Sequence, residues 1–278
     1  MDLNWLHSIL YGFVSSLANI LPVCAQAHQV MLMKFFGVTE HMNFMNLLIR
    51  LAVIYALYNS SRSHFVRMRR ALALARIPKR KRKRPLDTRS LMDWSLLITM
   101  LMPAALGVYL YQYVTSWQSN LLLIALFLFL NGVILYTPQF LPSSNKDART
   151  LSRIEGLLMG LGGTASILPG VSAMGATLSI GSVCGVAQSF CLDMAMMMNM
   201  FLIGGMAIYD IIGIATFGIG ALSVTILIRY LITAAVAYGG TLLGIRIMRY
   251  FAKEHGYAFF GIYCWGLALF TFILNLMA

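Results

Sequence analysis

Charged side chains are scarce in this sequence: they make up 11% of its 278 residues, and only nine are Asp or Glu. A soluble domain carries about 25%, so the deficit argues against one. Cysteine is thin as well. Cys24, Cys184, Cys191 and Cys264 form no C-x-x-C pair and all lie in apolar stretches, which gives poor support to a disulfide framework or a thiolate metal site. The opening "MDLNWLHS" lacks a basic n-region and carries Asp2. It does not read as a cleaved secretion signal, although Ala25-Gln26-Ala27 imitates a cleavage site.

What the chain has in abundance is hydrocarbon. Hydrophobic residues make up 59% of it, and the mean hydropathy is +0.77. Stretches 42–59, 94–113, 120–138 and 257–277 each approach the roughly 20 residues that cross a bilayer, and 221–250 is longer still. The expected fold class is an all-α polytopic membrane protein, built as one membrane domain over 1–278.

The net charge of +12 is concentrated. Twelve of the 21 Lys and Arg residues fall between Arg62 and Arg89, including the run "KRKRKR" at 79–84. In a soluble protein such a run would suggest nucleic acid. Between two spans the positive-inside rule makes 60–92 a cytoplasmic loop, with affinity for anionic phospholipid headgroups. Counting spans outward from that loop puts Lys146, Arg149 and Arg153, and later Arg246, Arg249 and Lys253, on the same inner side. The assignment is self-consistent.

Two apolar stretches are interrupted. "NILPVCAQAHQVML" (19–32) and "TASILPGVSAMGATLSI" (164–180) each place a proline before a cluster of small and polar residues. With Pro169 set over Pro22, Ala165 matches Ala18, Ile167 matches Ile20 and Leu168 matches Leu21. By the span count the two enter from opposite sides, as an inverted-topology repeat requires. Proline removes a backbone donor and turns the preceding residue away from helix. In lipid such a break is tolerated only against protein or a wet cavity. The expectation is therefore two re-entrant helix pairs meeting near the midplane, one in a first repeat beginning within 1–59 with its tip near Pro22, the other in a second repeat over 151–278 with its tip near Pro169. Ordinary kinked helices are the alternative. Each tip starts a half-helix whose free N–H groups and positive dipole end suit an anion.

The polar side chains around the tips are Ser15, Ser16, Asn19, Cys24, Gln26, His28 and Gln29, then Thr164, Ser166, Ser172, Thr177 and Ser179. From these, with the small residues Gly170 and Gly175, the candidate phosphate- and lipid-binding set is Ser15, Asn19, Gln26, Gly170, Ser172, Gly175 and Thr177. His28 is the candidate catalytic residue; Cys24, four residues before it, is close enough on a helix to be its nucleophile. Arg50 and Arg229 lie inside apolar segments, where they either supply charge to the site or pair and snorkel elsewhere.

These residues resemble a known family. The bacterial undecaprenyl-diphosphate phosphatases, or bacitracin-resistance proteins, carry E-G-x-T-E-F-L-P-x-S-S-T-G-H and P-G-T-S-R-S-G-A-T. Here the corresponding stretches are "SSLANILPVCAQAH" (15–28) and "PGVSAMGAT" (169–177). The first keeps Leu21, Pro22 and His28; the second keeps Pro169, Gly170, Ser172, Gly175, Ala176 and Thr177. The ending "YAFFGIYCWGLALF", with Phe260 and Tyr263, is similar to the family's last helix, so the likeness runs the full length. It implies inverted repeats, a C55 isoprenoid carrier lipid as substrate, and removal of its terminal phosphate at the inner membrane of a bacterium. It also implies a divalent cation, Mg or Ca, although no metal ligand is assignable.

The departures fall on the chemistry. The motif's two glutamates are Ser15 and Asn19 here, its tandem serines Cys24 and Ala25, its threonine Gln26, and its arginine Ala173. Neutral side chains make poor bases and poor cation ligands, and Ala173 lacks the fork that Arg offers phosphate. Three readings follow: a diphosphatase with rearranged residues, a silent relative that binds or flips prenyl phosphate, or a membrane scaffold. Partners implied are polyprenyl phosphate or diphosphate lipid and anionic phospholipid headgroups; nucleic acid is not expected, and a homodimer stays open. Either way, the 21–22 and 168–169 breaks must fold back to back around one headgroup.

Overall fold

The computed structural model describes residues 4–38, 42–82, 85–142, 145–219, 223–254 and 256–277. Ten α-helices run through them: α1 (Trp5–Ile20), α2 (Ala25–Phe35), α3 (Asn43–Ala75), α4 (Thr88–Val114), α5 (Leu121–Tyr136), α6 (Arg153–Thr164), α7 (Ala173–Val183), α8 (Gln188–Phe217), α9 (Val224–Glu254) and α10 (Ala258–Met277). Among the described residues no strand forms. A lone bridge, Lys146 to Val186, is the only extended pairing there.

Among the described residues, five segments are long and apolar enough to cross a membrane: Thr88–Trp117, Leu121–Phe140, Gln188–Phe217, Val224–Ala252 and Ala258–Leu276. The chain is an all-α, multi-pass membrane protein. Stretch 188–217, not singled out from the sequence, is among them. α3, which takes up the expected stretch 42–59 from Asn43 on, has the length but not the composition. Its first half carries Asn43, Asn46, Arg50 and Asn59. Two of these asparagines serve other helices: Asn46 accepts from the Tyr11 hydroxyl at 2.9 Å, and Asn59 donates to the Tyr238 hydroxyl at 3.3 Å.

The segment read as a loop, 60–92, is helical for much of its length. α3 continues to Ala75, because 60–75 holds no glycine or proline and ends in "RRALALA", all strong helix formers. Only beyond Arg76 does the chain turn, at Pro78, before α4 starts on the Asp87 cap. Lys83 and Arg84 of the basic run lie outside the described residues, as do Met1, Asp2 and Leu3 and, further on, Ala221.

The two interrupted stretches are helical hairpins. α1 ends at Leu21, which is extended (φ −66°, ψ 152°), and α2 restarts at Ala25. α6 ends in a 3-10 turn at Leu168, again extended (φ −77°, ψ 129°), and α7 restarts at Ala173. Leu21 and Leu168 both precede proline, which disfavours the helical well for them. The arms have 16, 11, 12 and 11 residues. At 1.5 Å per residue each is about 16–24 Å long, short of a hydrocarbon core of about 30 Å. α6 is opened by a capping box, Ser152 Oγ accepting from the Glu155 N–H and Glu155 Oε2 from the Ser152 N–H.

Small residues bring the helices together. Gly132 of α5 and Gly261 of α10 face one another so closely that a Cβ on either would stand 2.8–2.9 Å from the other's carbonyl oxygen. α6 similarly lays Gly160 against the Met100 backbone of α4. The helix pairs have a regularity. α1 packs on α9 and α6 on α4; α3 packs on α9 and α8 on α4; α1 packs on α2 and α6 on α7. α3 with α8, and α5 with α10, are self-matched pairs. Exchanging each of the first five helices with the one five later leaves these pairings unchanged.

Candidate functional site

The two hairpin tips meet. Cys24 Sγ accepts from the Gly170 N–H at 3.2 Å, and Ser172 Oγ lies 3.5 Å from the Leu21 carbonyl. Asn131, fully buried on α5, joins them: its Nδ2 donates to the Pro22 carbonyl at 3.3 Å, and its Oδ1 accepts from the Ser172 N–H at 2.9 Å. Backbone groups freed by the two breaks are thus partnered across the tips. Gly170 sits at φ +120°, which L side chains rarely adopt, and a Cβ there would meet the α5 backbone at 2.7 Å.

Beside the paired tips lies a cavity of about 90 Å³. Its polar lining is Asn19 from α1, Gln26 and Gln29 from α2, Ser166 and Ser172 at the second tip, Asn199 from α8, Tyr111 from α4 and Arg50 from α3. Cys24, Ala25 and Ala173 also border it, so α2 and α7 both begin at its wall. Gln26 Nε2 donates to the Tyr111 hydroxyl at 3.2 Å, and Asn199 Nδ2 donates to the Asn19 carbonyl at 2.8 Å. Among the described residues no Asp or Glu lines the space. Arg50 is held by Asp210 of α8, Nε to Oδ2 at 2.7 Å. The angle lies outside hydrogen-bond geometry, so this is a close ion contact and not an aligned bond.

Of the residues expected at the site, Asn19, Gln26 and Ser172 line the cavity. Ser172 also caps α7, its Oγ accepting from the Gly175 N–H at 3.2 Å. The others sit around it. Ser15 is fully buried in α1, and its carbonyl accepts from Asn19 Nδ2 at 2.9 Å. Gly170 and Gly175 give the tips their close approach, a Cβ at Gly175 falling 3.2 Å from the Pro22 carbonyl oxygen. Thr177 is buried one turn further along α7, its hydroxyl 3.5 Å from the Met159 carbonyl.

His28, also on α2, does not line the cavity. Its Nδ1 is 2.7 Å from the Cys24 carbonyl and its Nε2 is 2.8 Å from the Tyr263 hydroxyl, the two rings lying stacked. A carbonyl only accepts, so Nδ1 carries the proton and Nε2 accepts from Tyr263; this tautomer is assigned from the network. The ring's partners are thus the Cys24 backbone and Tyr263, not the Cys24 thiol. Arg229 is away from the cavity, its guanidinium 5.9 Å from the Tyr230 ring centre.

Asn131, Asn199, Tyr111 and Asp210 were not anticipated. A polar residue inside an apolar run, as Asn131 is in "LFLFLNGVILY", is a usable signal, because polar groups at membrane depth need a partner. It says nothing, however, about which partner.

The divalent cation suggested by the family resemblance finds an unsuitable set of donors. Mg²⁺ and Ca²⁺ favour carboxylate-rich oxygen shells. The cavity offers amides and hydroxyls, and the carboxylate behind it, Asp210, already faces a guanidinium. No group of three His, Cys, Asp or Glu side chains that could hold a metal occurs among the described residues.

The family model for bacitracin resistance protein BacA matches residues 8–270. The chain belongs to that family. An undecaprenyl-diphosphatase of Methanobrevibacter smithii is 27% identical over 274 residues, covering 96% of each chain. One from Desulforapulum autotrophicum is 23% identical over 275 residues, covering 97% of this chain and 98% of its own. Undecaprenyl-diphosphatase 1 of Shouchella clausii is 22% identical over 286 residues, covering 98% and 97%. This BacA-family chain therefore aligns with these three relatives over 96–98% of its length. Within that length, the lining of its cavity is amide, hydroxyl and one guanidinium.

Proposed function

We propose that this BacA-family protein handles undecaprenyl or other polyprenyl phosphates and diphosphates in lipid-carrier recycling, and that it holds their phosphate end in the cavity between the hairpin tips without efficient hydrolysis. The observation that carries the reading is the lining: two helix starts, several amide and hydroxyl donors, and no carboxylate among the described residues. Helix starts and neutral donors bind phosphate well. Cleaving a phosphoanhydride also needs the attacking water activated, for which a carboxylate or free imidazole is the usual means. Asn19 is an amide, and both nitrogens of His28 are occupied.

The helix pairs that match on exchanging α1–α5 with α6–α10 support an inverted repeat, with the hairpins as re-entrant pairs. In that arrangement the basic end of α3 and the turn after it face the cytoplasm, where arginines meet anionic headgroups.

A second reading, hydrolysis of undecaprenyl diphosphate to the monophosphate and phosphate, is favoured by the names of the relatives. Purified protein in detergent separates the two. Farnesyl phosphate or diphosphate should raise the melting temperature, by an amount worth about 2.7 kcal/mol at a hundred times Kd. Phosphate release should not exceed a boiled control, with or without Mg²⁺ or Ca²⁺. Release above that control establishes the second reading. Absence of stabilisation by either ligand refutes both and leaves a scaffold.

A further inference from the structure

The cavity's lone guanidinium needs an explanation. An arginine in an apolar helix is expensive and is normally paired or functional. Arg50 is paired, but unevenly. Its contact to Asp210 uses Nε, its side chain keeps 20% of its surface exposed against 8% for Asp210, and it is Arg50, not Asp210, that borders the cavity. Among the described residues no other ion pair or hydrogen bond engages the guanidinium. A guanidinium has five N–H donors, so its terminal edge remains for a ligand.

The rest of the lining is neutral, so an anion entering this space meets a single full positive charge. Asn19, Gln26, Gln29, Ser166, Ser172 and Asn199 surround that charge with groups that bond oxygen. Arginine and phosphate match as planar fork to two oxygens, and such charge-assisted bonds are about twice as strong as neutral ones. We propose that Arg50 is the phosphate-binding cation of this cavity, and that Asp210 is a positioning residue that fixes the guanidinium with its terminal edge toward the ligand. The ligand class is the phosphate end of a prenyl phosphate or diphosphate. This rests on the reading of the cavity given above. It adds that the charge on which binding depends comes from α3, outside both hairpins.

Removing one partner alone would strand a buried charge, so the pair is replaced together. Two variants are used: Arg50→Gln/Asp210→Asn, and the apolar Arg50→Met/Asp210→Leu. Buried ion pairs replaced by apolar side chains of similar volume are often neutral or stabilising, so the second variant serves if the first does not fold. Binding of farnesyl phosphate and of uncharged farnesol is measured for each by calorimetry in detergent. The expected result is farnesyl phosphate affinity reduced about 10–100-fold, with farnesol affinity unchanged. Ala173 borders the same cavity, so adding Ala173→Arg to either double variant should recover most of the loss.

Double variants that bind farnesyl phosphate within about threefold of wild type overturn the proposal and leave the function standing. Equal loss of farnesol and farnesyl phosphate also overturns it, since that is the mark of a structural pair. A wild-type protein that does not bind farnesyl phosphate overturns both.

Discussion

Replacement of Asn131 by leucine tests the join between the hairpins. Asn131 is 0% exposed, and its amide bonds one group on each tip: the Pro22 carbonyl at 3.3 Å and the Ser172 N–H at 2.9 Å. Leucine fills a similar space but bonds neither. The Ser172 N–H then has no partner, at a cost of about 1–3 kcal/mol for a buried donor. The Pro22 carbonyl adds less, since carbonyls tolerate being under-satisfied better than N–H groups. Hydrogen bonds within membranes average nearer 0.6 kcal/mol, which pulls the sum down to about 1–3 kcal/mol. Ile124→Val, also fully buried on α5, is the control and should cost about 0.5–1.5 kcal/mol. Unfolding in mixed micelles reads both values, and farnesyl phosphate binding reads the cavity. Asn131→Leu should lose affinity in the folded protein, because Ser172 lines the cavity; Ile124→Val should not. A leucine variant no less stable than the valine control, with unchanged affinity, refutes the argument that this amide holds the tips together.

Gly170→Ala should cost about 1–3 kcal/mol from its φ of +120° alone, and more from backbone of α5 standing 2.7 Å from the new Cβ; a lowered melting temperature checks it, and an unchanged one refutes it. His28→Asn should cost about 0.5–1.5 kcal/mol of stability and leave farnesyl phosphate affinity intact, since neither His28 nor its partner Tyr263 lines the cavity. Asn19→Glu with Ala173→Arg, both bordering the cavity, should raise phosphate release from farnesyl diphosphate; no gain in a folded protein places the reacting phosphate elsewhere. Glu155 is held down to about 2, first by the Lys146 ammonium bonded to it at 2.7 Å and then by the Ser152 N–H and hydroxyl. Its unfolded value is about 4.3, so the stabilisation is complete above that pH and is lost as pH falls toward 2. The stability gap between wild type and Lys146→Met should therefore be widest above roughly pH 5 and close on acidification, as thermal unfolding across that range will read.

Much of the site's framework was written locally. Pro22 and Pro169 bias Leu21 and Leu168 away from helix, and both are extended, whereas Met102 before Pro103 stays helical within α4; proline marks where a break can form and its surroundings decide that it does. Asn19, Gln26 and Ser172 stand within three or four residues of those prolines, which is why nearness to the prolines alone marks three residues that line the cavity. Their neighbours Ser15, Thr177 and His28 were picked by the same nearness. They point elsewhere, because a helix turns through 100° per residue and only packing decides which face meets the partner. The basic segment departs from the loop reading for a related reason: its charges suggest exposure, but helix propensity and the burial of Met68 and Ala71 carry α3 on to Ala75.

The amino-acid order alone determined a membrane-embedded helical chain with two broken helices, because hydrophobicity, proline and glycine act over a few residues. The tertiary structure decided what closes the site. Asn131 reaches back 109 residues to Pro22, and Asp210 meets an arginine on another helix. Such pairs form only when whole helices have settled against one another through their glycines, and no local pattern encodes that register.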